Sequence, residues 1–121
     1  MFQAEVDKSA PLLRLSYSGE VGIEEMMRCA ERIEVLVQDL QPGFRLLTDL
    51  TELQGMDFGC VPHVKRIMDL CNRAGVEMVV RVIPDPHKDI GLNILSLFHY
   101  SKGVRIVTCQ KLPEALKILA Q

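Results

Sequence analysis

The sequence predicts an α/β domain: a mostly parallel sheet of about five strands with an antiparallel strand at its N-terminal edge, and four helices. Three observations carry this. Short runs rich in β-branched residues alternate with stretches whose apolar residues recur at three- and four-residue steps, the signature of strand–helix–strand units paired in parallel through right-handed crossovers. The chain opens instead with two strand-like segments in succession, which points to a hairpin at one sheet edge. Its 121 residues have the length of one domain with a real core, and no repeat, low-complexity segment or linker divides them. Residues 1–121 therefore read as a single domain of order β-β-α-β-α-β-α-β-α.

Each element follows from its own pattern. Phe2, Ala4 and Val6 alternate with polar residues, as on a strand with one solvated face. Lys8 to Pro11 supplies turn chemistry, and Leu13, Leu15 and Tyr17 alternate again before Gly19. Ile23, Met26, Met27, Ala30, Ile33, Val37 and Leu40 form one apolar helical stripe, with Glu24 and Glu25 suited to the positive end of the helix dipole, and Pro42-Gly43 stops it. Phe44 to Leu50 reads as a central strand buried on both faces. Thr51 to Gly59 reads as a loop into a second helix that begins near Gly59 or Cys60, because Pro62 fits only a first turn. Val61, Val64, Ile67, Met68 and Cys71 are its inner stripe, and Ala74-Gly75 ends it with a left-handed cap.

Val76 to Ile83 is the strongest strand signal, stopped by Pro84-Asp85-Pro86. A third helix is expected from about His87 to Tyr100, with Ile90, Ile94, Leu97 and Phe98 inward. Val104 to Cys109 is the last strand, and Pro113 opens a final helix carrying Leu112, Ala115, Leu116 and Leu119.

Composition removes several function classes. Charged residues make up 25% and apolar ones 48%, an ordinary globular balance, and the net charge is -2. The signs are interspersed, with no basic run or basic–aromatic interleaving, so no nucleic-acid partner is expected. No apolar run approaches the roughly 20 residues of a membrane span, and Met1 to Val6 is too short and mixed for a signal peptide, so a cytoplasmic location is expected. Cys29, Cys60, Cys71 and Cys109 share no C-x-x-C spacing and sit inside apolar patterns, as reduced core thiols do.

The pieces Asp49-Leu50-Thr51-Glu52-Leu53, Met56-Asp57-Phe58-Gly59-Cys60, the helix to Ala74, Gly75 to Ile83 and Val104 to Leu119 follow one another in a familiar order. Together they resemble the STAS, or anti-sigma-factor antagonist (SpoIIAA-like), family along nearly the whole chain. Members carry an Asp-Leu-Ser-Gly-like turn, an Asp-Ser-Ser/Thr-Gly motif opening the next helix, a Gly before a β-branched strand, and a last helix containing Glu-Ala-Leu. The resemblance implies a regulatory module that binds a partner protein, an anti-sigma-type kinase or another regulator. The departure lies at the phosphorylated hydroxyl. Aligned on Asp57, its two positions hold Phe58 and Gly59, and the motif's Gly is Cys60. Neither Phe nor Gly accepts phosphate, so the charge switch of about -1.5 to -2 that a phosphate provides has no acceptor there.

The expected partner-binding residues are Asp57, Phe58, Gly59, Cys60, His63 and Arg66. Asp57 reads first as a helix cap. Phe58 reads either as an exposed interface anchor or as a side chain folded back onto the core. Cys60 at a helix start invites a lowered thiol pKa, with His63 on the same helical face. His63, His87 and His99 show no ligand spacing, so no metal is expected. There is no Gly-rich phosphate loop, nucleophile elbow or carboxylate pair, so neither a cofactor nor an enzymatic reaction is expected. Asp49 and Lys111 invite comparison with response-regulator receivers, but receivers do not open with a hairpin. The alternative expectation is a small-molecule or lipid-binding domain of the same fold. The third helix, apolar beyond one stripe through Leu92 and Leu95, would line its pocket or a homodimer contact.

Overall fold

The computed structural model describes residues 1–85 and 99–121. The helix expected between His87 and Tyr100, with its pocket-lining or dimer face, therefore lies almost wholly outside the described residues, as does His87.

The elements are β1 (Phe2–Asp7), β2 (Leu12–Val21), α1 (Ile23–Val37), β3 (Arg45–Met56), a short 3-10 turn (Phe58–Cys60), α2 (Val61–Ala74), β4 (Met78–Val82), β5 (Arg105–Cys109) and α3 (Leu112–Leu119). Five strands form one mixed sheet in the order β1-β2-β3-β4-β5. The β1–β2 pair is the antiparallel hairpin at the edge, and the other three pairs are parallel. The hairpin turn is held by Asp7, whose Oδ1 accepts from the Ser9 amide at 3.0 Å and the Ser9 hydroxyl at 2.6 Å. Three α-helices lie among the described residues, against the four expected over the full chain.

Register explains the layering. Leu13 pairs with Leu46, Leu46 with Val79 and Val79 with Ile106, so these side chains share one face of the sheet. With Met26, Ile33, Ile67 and Cys71 from α1 and α2 they form the larger core. The intervening residues Leu47, Met78, Val80 and Val82 point to the other face and pack with Ala115 of α3 in a second core. Arg45 locks α3 down: its Nη1 donates to the Leu119 carbonyl at 2.9 Å, placing a cation at the negative end of the helix, while its Nε reaches Glu77 Oε1 at 2.9 Å.

Two boundaries differ from the expected ones. The segment from Thr51, expected as a loop, continues as strand to Met56, and β2 runs on past Gly19 to Val21. The extended halves pair with each other, Ser18 with Glu52 through Val21 with Met56, after one register shift between Ser16 and Ser18 and across another between Gly19 and Glu20. Beyond Asp49, β3 has lost its β4 partner. A strand bonded on one side only tolerates the polar, glycine-containing sequence that reads as a loop. The second difference is in α1, which ends at Val37 rather than Leu40, and whose Ile23 and Met27, expected in the inner stripe, are 41% and 43% exposed.

Candidate functional site

The site is built where β3 hands over to α2. The Asp57 amide donates to the Val21 carbonyl at 3.0 Å, tying the end of β3 to the end of β2. Asp57 then caps the 3-10 turn: its Oδ1 accepts from the Gly59 amide at 2.8 Å, and its carbonyl accepts from the Cys60 amide at 2.9 Å. The chain passes directly into α2, with Pro62 in the first turn. Asp57 thus takes the capping place read from the sequence.

That turn projects Phe58 into solvent at 88% exposure, so of its two readings the folded-back one is excluded. Gly59 lies beneath it against α1, where an added Cβ would come 2.5 Å from Ile23 Cδ1. Met27 stands one helical turn from Ile23 on the same side of α1. Phe58, Ile23 and Met27 therefore bring three exposed apolar side chains to the junction of the 3-10 turn and α1.

The remaining predicted residues divide. His63 is half-buried and Arg66 is exposed on α2. The Arg66 guanidinium is engaged with Glu34 of α1, bridging the two helices at the surface. Cys60 is fully buried, with its thiol toward the Val21 carbonyl at 3.7 Å, and presents no side chain to a partner. Its thiol is pushed up, first by burial and then by the Asp57 carboxylate. That direction runs against the lowering expected for a thiol at a helix start. His99, read as unconnected, joins α2 through Nδ1 to Asp69 Oδ1 at 2.8 Å, a pairing across 30 residues that local spacing cannot reveal. Among the described residues no group of three or more His, Cys, Asp and Glu side chains is placed to hold a metal ion, and no helix is long and apolar enough to cross a membrane.

Behind this surface, between the sheet and α2, lies a cavity of about 350 Å³. Its wall is mainly apolar, with Leu15, Leu46, Leu53, Ile67 and Met68, and the polar groups facing it include Thr48, Arg81 and Tyr100. The Tyr100 phenol is pushed well up, chiefly by burial, and stays protonated. Arg81 is 2% exposed in a strand whose other members, Met78, Val79, Val80 and Val82, are all apolar. The register Leu15–Thr48–Arg81 puts it on the α1/α2 face, inside the larger core. Sequence reasoning did not single out Arg81. The available signal was a charged residue set within the apolar run from Met78 to Ile83.

No family model matches the chain, and no curated protein does. Solved structures do. An uncharacterised DUF3478 protein with a SpoIIAA-like fold from Shewanella loihica is 15% identical, with 98% of this chain and 92% of that one covered and a TM-score of 0.73. The Bacillus cell fate determinant SpoIIAA in its phosphorylated form is 16% identical, covering 98% and 99%, with a TM-score of 0.66. An anti-sigma factor antagonist from Mycobacterium paratuberculosis is 17% identical, covering 100% and 96%, at 0.64. This chain has the SpoIIAA-like fold over its whole length.

Proposed function

We propose that this chain is a non-enzymatic regulatory module that binds a partner protein, an anti-sigma-type kinase or a related regulator, through the capped turn and the helix faces beside it. The observation that carries the reading is Phe58, a large apolar side chain 88% exposed on a turn fixed by Asp57. Single exposed apolar residues are ordinary. An aromatic on a rigid backbone, flanked by Ile23 and Met27, has the makings of an interface anchor with little entropy left to lose. The fold likeness to anti-sigma factor antagonists supports the class of partner. Phe58 sits at the centre of the surface, with Asp57, Gly59, His63 and Arg66 around it and Cys60 supporting the turn from inside. Affinity at this surface does not depend on phosphate at positions 58 or 59, which carry no hydroxyl. Such a module works in the cytoplasm, beside its kinase.

Pull-down with a purified anti-sigma-type kinase from the same genome tests this. Wild type is retained, and Phe58→Asp loses at least about tenfold in affinity with an unchanged circular-dichroism spectrum. Equal recovery of both moves the interface elsewhere, and recovery of neither removes the partner class.

A second reading, a small-molecule-binding domain, is favoured by the cavity and its mainly apolar wall. The two readings use different parts of the molecule.

A further inference from the structure

We propose that β1 is the contact strand of a symmetric homodimer, in which two copies of this chain join their sheets antiparallel across the β1 edge, centred on Ala4. The proposal stands apart from the Phe58 surface and does not depend on it.

The backbone fixes which groups are on offer. Met1 and Ser18 exchange both of their hydrogen bonds, each at 2.7 Å. Antiparallel ladders alternate, so Gln3, Glu5 and Asp7 likewise spend their N–H and C=O groups on β2. Phe2, Ala4 and Val6 therefore direct theirs outward, and among the described residues no strand lies on that side. Sheets commonly blunt such an edge with a proline, a lysine or a bulge. Phe2–Asp7 contains neither of those residues, and its pairing with β2 runs unbroken. Its charges, Glu5 and Asp7, oppose self-pairing only in a register that brings them together.

The sequence pattern selects the register. A two-fold pair closes on itself, with residue i opposite j and j opposite i. Centred on Ala4, it sets Ala4 against Ala4 and Phe2 against Val6, and each of these pairs bonds through outward groups. Gln3 then falls opposite Glu5 of the second copy at a non-hydrogen-bonded position, where side chains approach most closely and the amide can donate to the carboxylate. Centring on Glu5 would set carboxylate against carboxylate, and centring on Gln3 would leave Val6 without a partner. Phe2, Ala4 and Val6 are half-buried and pack against the larger core. The same row of the second copy continues theirs across the edge, adding apolar burial to the ladder.

Sedimentation equilibrium over a range of protein concentrations at neutral pH tests the proposal. A single strand edge is a small interface, so a dissociation constant on the order of 100 μM is expected. Gln3→Glu, which places a second carboxylate opposite Glu5, weakens the dimer at least about threefold, and Gln3→Lys strengthens it by a similar factor. Ala4→Pro removes only an outward donor, a loss that an edge strand tolerates, and leaves a monomer with the wild-type circular-dichroism spectrum. Wild type that stays monomeric up to about tenfold above that constant overturns the proposal. A dimer that survives in folded Ala4→Pro, or whose affinity ignores both changes at Gln3, overturns the assignment to β1. The two Gln3 variants decide the matter if Ala4→Pro does not fold.

Discussion

Asp57 and Phe58 are neighbours with opposite duties. The carboxylate of Asp57 satisfies the Gly59 amide, and Phe58 touches little of its own chain. Asp57→Ala should lower unfolding free energy by about 1 kcal/mol, while Phe58→Ala should leave it within about 0.5 kcal/mol. Urea titrations of both variants check this, and a large loss in Phe58→Ala would mean the ring packs against the protein. At this scale the sequence was unevenly legible. A carboxylate just ahead of a helix start announces a cap, and Asp57 is one. The exposure of Phe58 was open because an aromatic beside a helix start can turn either way, and only the ψ of 137° at Asp57 with the turn that follows decides it. Cys60 carried two readings, a core thiol and a helix-start thiol, and its burial against β2, a tertiary matter, favours the first. Arg81 shows the limit from the other side, since a charged letter in a strand does not say whether the side chain faces water or a cavity.

Helix ends and strand ends differ in how well they can be read. The Ala74-Gly75 stop of α2 is where expected, because a left-handed cap has a specific chemical requirement: Gly75 sits at φ 95°, ψ 33°. An added Cβ there would also lie 2.8 Å from the Pro42 Cα, part of the backbone that closes α1. Gly75→Ala is therefore expected to destabilise by about 1–3 kcal/mol, more than Gly43→Ala, where φ is 96° but the space is open. Thermal melts of the pair separate backbone strain from the clash, and equal losses would show that Pro42 moves aside freely. The extension of β3 to Met56 was not legible. Its polar residues reflect a one-sided ladder, and which strand ends first is a property of the neighbours, not of the segment.

The whole molecule is organised by a sheet with a core on each face. The topology could be read because helix and strand periods alternate cleanly. The cavity could not, because it is what remains after α2 and the sheet have packed. Cys29 and Cys71 sit fully buried in the larger core, and burial pushes their thiols up to about 11 and about 12 respectively. A raised folded-state pKa means the neutral thiol favours folding. That contribution is complete below the ordinary value of 9.0 and disappears as pH climbs through 11 and 12. The melting temperature should therefore fall across this alkaline window, and the fall should shrink in Cys71→Ala. Melts from pH 8 to 12 measure it, and an undiminished fall in the variant would shift the cause to Tyr17 and Tyr100, whose phenols burial also raises.

The sheet that separates Ala115 and α3 from Phe58 and α1 is also a partition of mutational effects. Among the described residues the two cores form separate clusters, one on each face, with the strands of the sheet between them. Substitutions on the α3 side can then accumulate or be repaired without retuning the surface at Phe58, and their free energies should sum where paired changes within either core would not. Drift on one side of the sheet then leaves the geometry of the other side in place.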